Sequence, residues 1–226
     1  IANGWTISDG GKDCTDDNVF FKITVKTNNP GWSNNRSFTI PVSNNTYNYD
    51  VDWNGDGTFD EFGLTGSVTH DYGVAGTYQI AIKGTFPHIN FNNGGDRRKV
   101  VSLDQWGTIN WESMINSFYG CSTMTYLCTD APILNSVTSM LNMFRGCSSF
   151  DGDLSNWDLS NITVLKSMFE ETNFNQDISG WDVSGVIDFN RVFMNNSAFN
   201  QDISGWDLSS AEHIRNIFNN ATSFNQ

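Results

Sequence analysis

The nine residues FNQDISGWD stand at Phe174–Asp182 and recur letter for letter at Phe199–Asp207. A looser copy, FDGDLSNWD, occupies Phe150–Asp158, and the chain closes on Phe224-Asn225-Gln226, in phase with a further copy. A unit of about 25 residues cannot bury its own apolar face, so it must stack on its neighbours. The period is absent before about residue 100. Residues 1–99 are therefore read as one domain and residues 100–226 as an array cut from a longer one. An opening at Ile1 without Met fits a mature or excised segment.

The units share a second register. Val137, Met140, Met143 and Phe144 fall at i, i+3, i+6 and i+7, and so do Ile162, Leu165, Met168 and Phe169. Val186, Phe189, Val192 and Phe193 repeat it, as do Ala211, Ile214, Ile217 and Phe218. That spacing predicts a helical stripe of about two turns. Alternation around Ile178 and Ile203 predicts short strands. Each unit then reads strand, turn, short helix, turn, the plan of a leucine-rich-repeat-like α/β solenoid. Trp157, Trp181 and Trp206 hold one fixed place per unit and are read as an internal ladder. Strand alternation sends Asp153, Ser155, Asp177, Ser179, Asp202 and Ser204 outward, so these are the candidate binding residues. The competing reading is a solvated face that keeps the array soluble.

Upstream, Asn18–Thr27, Ser37–Val42, Tyr47–Trp53 and Thr77–Gly84 alternate and are rich in Phe, Tyr, Ile and Val. Gly, Pro and Asn punctuate them, which predicts an antiparallel β-sandwich. The expected fold class is thus α+β multidomain, a sandwich followed by the solenoid. Within the sandwich, Trp53, Gly55, Asp56 and Gly57, followed by His70, Tyr72, Gly76 and Tyr78, resemble the PKD type of immunoglobulin-like domain. The resemblance implies a spacer or weak binding module.

The same turn reads D-x-N-x-D-G-x-x-D through Asp52, Asn54, Asp56, Gly57 and Asp60. Alternating oxygen donors at that spacing can converge on a hard cation, with Thr58 offering a carbonyl, so a structural Ca2+ is one reading. Gly63 stands where a bidentate Glu is expected. The other reading is a tight hairpin turn that uses Asp, Asn and Gly for their backbone preferences.

The unit pattern W-D-[VL]-S through F-N-Q-D-I-S, with the lead-in Phe91–Trp106 and Phe118–Cys121, resembles the BspA-like family of surface proteins. That resemblance implies a secreted or cell-surface location and adhesion to a protein or glycan on a host, matrix or other surface. It carries no catalytic residue.

The chain has a formal net charge of −13, of which residues 1–100 hold −3 and residues 101–226 hold −10. An acidic array repels nucleic acid and anionic membrane. No apolar run has the length to span a bilayer, so direct membrane insertion is not expected. His70, His88 and His213 fall in unrelated places, with no Ser–His–Asp order, zinc spacing or phosphate loop, so no enzyme is expected. Cys121 and Cys147 sit in adjacent units and come within disulfide range if the turns stack closely, but buried free thiols are favoured. Asn90–Lys99 is the boundary, read as a solvated loop or as an electrostatic seam to the array. The expected product is a monomeric binding segment, with a purely structural spacer as the alternative.

Overall fold

The computed structural model describes residues 19–43 and 45–226. Cys14 and the first residue of the expected strand Asn18–Thr27 lie outside them. Eight strands form: β1 (Phe21–Lys26), β2 (Ser37–Ile40), β3 (Asn48–Asp52), β4 (Glu61–Leu64), β5 (Val68–Asp71), β6 (Thr77–Thr85), β7 (Val100–Gln105) and β8 (Thr125–Tyr126). Six of them make one sheet in the order β4-β3-β6-β1-β7-β8, and β2 and β5 make a second, two-stranded sheet.

Period-two patterning explains the centre of the large sheet. Phe21, Ile23 and Val25 of β1 are fully buried while Lys22, Thr24 and Lys26 between them are not. β1 pairs antiparallel with β6 over its whole length and with β7 on its other edge, where the register shifts twice. β7 in turn pairs parallel with β8, so the sheet runs on past residue 99. Phe21, Tyr49, Phe86, Trp106 and Trp111 pack beneath it in edge, tilted and stacked contacts at 4.9–6.2 Å. One apolar cluster extends from these rings to Phe199.

The expected fold class is corrected here. The protein is nearly all-β, and no α-helix forms among the described residues. The leucine-rich-repeat α/β solenoid behind a PKD-type sandwich is replaced by the six-stranded sheet, the small second sheet and a region of tight turns. The stripe Val137, Met140, Met143 and Phe144 is wholly buried, but its spacing comes from successive three-residue turns and not from a helical period. Met143, Arg145 and Cys147 donate back to the carbonyls of Met140, Asn142 and Phe144 at 3.0, 3.2 and 3.0 Å. The alternate N–H groups point sideways: Asn142, Phe144 and Gly146 donate to Lys166, Met168 and Glu170 of the next unit at 3.0, 3.2 and 2.8 Å. Asn142 and Gly146 have φ of 54° and 70°, which a right-handed helix excludes. Asn116, Ser167, Arg191 and Asn216 hold the first of these left-handed places in their own units.

The expected strands are displaced as well. FNQDISGWD forms no strand in either copy. From residue 139 onward the ladder positions among the described residues are single parallel bridges, Ser139 to Val164, Val164 to Asp188 and Asp188 to His213. They fall inside or beside the segments read as helical.

Packing between units is aromatic. Phe118, Phe144, Phe169, Phe193 and Phe218 stack at 5.7–6.2 Å. Phe150, Phe174, Phe199 and Phe224 form a second column at 5.9–6.4 Å. Within a unit the two columns touch, as at Phe169 and Phe174, 4.1 Å apart. Burying one Phe contributes roughly 1.5–3 kcal/mol, against about 1 kcal/mol for one backbone hydrogen bond, so the rings dominate and the bonds set the register.

Candidate functional site

Two of the expected sites can be followed atom by atom. The first is the turn joining β3 to β4. Asp52 closes β3 and is almost completely buried. Its Oδ1 accepts the N–H of Asn54 and Gly55 at 3.2 and 2.8 Å, and its Oδ2 accepts that of Gly57 at 2.9 Å. Asp56 accepts the N–H of Thr58 at 2.8 Å and the Asn54 amide at 3.2 Å. Asp60 accepts the N–H of Trp53 at 2.8 Å. The side chains thus turn onto the loop's own backbone, the geometry of Asx turns. Among the described residues no group of three His, Cys, Asp or Glu side chains is arranged to hold a metal ion. Beneath the turn Trp53 stacks on His70 at 4.8 Å, and Tyr72 stacks on Tyr78.

The second site is the acidic face. Asp153, Asp177 and Asp202 are exposed, and each accepts the N–H of the serine two residues on, Ser155, Ser179 and Ser204, at 2.9 Å. The inward residue between them is Leu154, Ile178 or Ile203. A second set lies five residues on: Asp158, Asp182 and Asp207 accept from Ser160, Ser184 and Ser209 at 3.0, 3.0 and 2.9 Å. Each carboxyl is held below its usual range, chiefly by the serine N–H, helped by the serine hydroxyl. At Asp182 the hydroxyl contributes most. Asp177 pushes Asp153 up, and Asp202 pushes Asp177 up, so the acids of successive units feel one another. The result is two columns of fixed carboxylates that keep their charge well into acid.

The three tryptophans face the interior, although Trp206 is only partly buried. Trp157 and Trp181 are buried, and the indole N–H of Trp181 and Trp206 donate to the carbonyls of Leu154 and Ile178 at 3.0 and 3.1 Å.

Sequence reasoning missed several groups. His88 is buried, and its Nε2 lies 2.9 Å from the Ile115 carbonyl, which can only accept. Nδ1 therefore accepts from Ser43 Oγ at 2.8 Å. Burial lowers the His88 pKa, and Tyr47 joins the same network by donating to the His88 carbonyl at 2.8 Å. The contact ties the segment after β2 to the first turn unit and reads as a bracket between them. A polar cavity of about 280 Å³ is lined by Asp104, Gln105, Thr129 and Asp130. Asp130 is committed to the N–H groups of Trp106 and Gly107, and Asp104 to Thr24, Gln79 and Ser102. Cys121, Cys128 and Cys147 are buried and unbridged. Of the boundary cations, Lys99 turns inward to Asp96 and not towards the array.

With this geometry in hand, the comparisons place the chain. A family model described as "Mycoplasma protein of unknown function, DUF285" matches residues 91–173 and 112–226. The chain belongs to the DUF285 family. The BspA-like leucine-rich-repeat resemblance is corrected accordingly, since the match is to DUF285 and the turn units contain neither the helix nor the continuous strand of such a repeat. No curated protein and no solved structure matches the chain. The DUF285 match begins at Phe91, so it takes in Asp96, Lys99 and both acidic columns but not the Asp52 turn. No helix among the described residues is long and apolar enough to cross a membrane.

Proposed function

We propose that this DUF285 chain is a non-catalytic adhesive segment of a secreted or cell-surface protein, binding a protein or glycan on a host, matrix or other surface. The observation that carries this reading is the pair of acidic columns. Repetition of D-x-S in successive units aligns exposed carboxylates at regular intervals over a stiff aromatic interior. Such an array offers many weak contacts in fixed geometry, which suits multivalent attachment. A second reading, a spacer that projects another part of a larger surface protein, is favoured by the fact that each of these carboxylates already brackets its own turn.

Capture of the chain by immobilised matrix proteins and glycans separates the two. Replacing Asp153, Asp177, Asp202, Asp158, Asp182 and Asp207 together by Asn keeps an acceptor for every serine N–H and removes the charge. Capture by the wild type that weakens in this variant supports adhesion through the columns. A wild type captured by no surface leaves the spacer.

A further inference from the structure

Among the described residues the most exposed large hydrophobic side chain is Trp32, with 83% of its surface open to solvent. It sits on the loop between β1 and β2, and that loop is clamped from inside. Lys99, wholly buried, donates through Nζ to the carbonyls of Ser33, Asn34 and Ser37 at 3.1, 2.7 and 2.8 Å. Asp96, also buried, accepts from the N–H and hydroxyl of Ser33 at 2.9 and 2.6 Å and from the N–H of Thr39 at 2.9 Å. The two charges lie 3.7 Å apart. Gly31 presses against this pair so closely that a Cβ there would stand 2.4 Å from the Asp96 carboxylate. One edge of the Trp32 ring rests on Gly94, where a Cβ would come within 3.3 Å. An internal ion pair, a glycine that nothing else could replace and a backbone shelf thus hold an indole out in water.

Burying an indole is worth several kcal/mol, and leaving one exposed on a stiffened loop forgoes that gain. We propose that Trp32 is the stacking platform of a glycan site, and that its ligand is an acidic glycan, a hexose chain bearing carboxylate or sulfate. This rests on the adhesive reading above and gives it a second contact surface with its own chemistry. A protein partner would want further apolar residues around the anchor. The flanking loops supply amides and glycine instead: Asn28 on one side, Asn92 and Asn93 on the other, while Asn29 and Asn34 are bonded to Arg98, Arg36 and Ser37. A pyranose needs that combination, one flat π face for its C–H groups and hydrogen-bonding side chains around it. The charge selects among glycans. Five of the chain's twelve Lys and Arg residues lie in the segments 26–36 and 97–99, although the whole chain carries −13. Lys99 is spent internally and Arg36 pairs with Asp71 at 2.9 Å. Lys26 and Arg98 remain exposed, their carbonyls tied to the N–H and side-chain amide of Asn29 at 3.1 Å.

The test uses residues 1–226 against three probes, a heparin hexasaccharide, sialyllactose and neutral lactose, with affinity measured by calorimetry. Binding to either acidic probe and not to lactose is expected, and the two acidic arms tell sulfate from carboxylate. Because its ring is in solvent, Trp32→Ala should melt with the wild type yet lose roughly tenfold in affinity. Arg98→Gln should weaken binding less and flatten its salt dependence. Equal binding of lactose, or unchanged affinity in Trp32→Ala, overturns the proposal. If the wild type and Trp32→Ala are captured equally by a matrix protein and neither binds a probe, the glycan site falls and adhesion stands. If the wild type binds no probe and no surface, both fall.

Discussion

The Lys99 corner and the Phe169 column are buried to the same degree and are held by opposite means. In the corner each contact is made once, between unlike groups, most of them far apart in sequence, such as Lys99 with Ser33 and Asp96 with Thr39. In the column each residue meets its own copy about 25 positions away, Phe on Phe and Asn on Asn. The first arrangement fixes one loop in one place. The second fixes a spacing and can be extended without new inventions. A repeated interior is the right backing for a repeated surface, whereas a unique clamp is the right backing for a single exposed tryptophan.

The largest effect should come from the column. Phe169 contacts Phe144, Phe150, Phe174, Trp181 and Phe193. Phe169→Ala removes a ring from both neighbours at once and should cost about 4–5 kcal/mol, at the upper end for such truncations, read as a lower denaturation midpoint. A loss under about 1 kcal/mol would show that the column repacks and would break the contrast with the corner.

Lys99→Met comes next. The methionine fills the stem's volume but strands the Asp96 carboxylate. Breaking a buried pair costs about 3–5 kcal/mol, and the lower end is expected because Asp96 keeps its bonds from Ser33 and Thr39. Adding Asp96→Asn should recover part of the loss, which a double-mutant cycle would register as coupling. Strict additivity would mean that the two groups act independently.

The Asp52 turn belongs with the corner in kind but is smaller. Asp52→Ala leaves the N–H groups of Asn54, Gly55 and Gly57 without their acceptor, for a loss of about 2 kcal/mol. The same melting temperature in calcium and in chelator is expected of a turn whose oxygens are already bonded to backbone. A rise with calcium that Asp56→Ala abolishes would support the cation loop.

How much of this could be read from the sequence follows the same division. Four of the strands in the first hundred residues were legible because alternation reports a half-buried strand directly. β4 and β5 were not, since Glu61–Leu64 and Val68–Asp71 are short and largely exposed and carry little pattern. In the array the inward set of residues was legible, but its conformation was not. Spacings of three and four are shared by a helix and by a run of three-residue turns, and what separates them is the left-handed residues of each unit, which are not confined to Asn and Gly but include Ser167, Glu171 and Arg191. The verbatim FNQ had a cause that alignment did not disclose. The side-chain oxygen of Asn175 accepts the N–H of Asn200, and that of Asn200 accepts the N–H of Asn225, at 2.8 and 3.1 Å. Gln201 and Gln226 reach the same two oxygens at 3.1 and 3.2 Å. A ladder of this kind demands a short side chain with an acceptor oxygen at that place in every unit, and in the looser copy Asp151 supplies it to the N–H of Asn175 at 2.8 Å. The Trp32 corner left no such trace, because Gly31, Asp96 and Lys99 meet only in the fold.

The acidic columns give the smallest effect and the finest test of the comparison. Each aspartate's folded pKa lies below its ordinary value of about 3.9. A depressed carboxyl contributes its stability above the unfolded pKa and loses it as pH falls through the folded one. The columns should therefore steady the units at neutral pH and release them as pH falls through the lowered folded values, each by a small amount because the groups are exposed. Neutralising Asp177 alone with Asn keeps the turn and should leave the melting temperature at pH 7 almost unchanged. The six-residue Asn variant should flatten the acid limb of the melting curve below about pH 4. If the variant melts in acid as the wild type does, the carboxylates are not set by their serines. The acid sensitivity would then arise outside the columns.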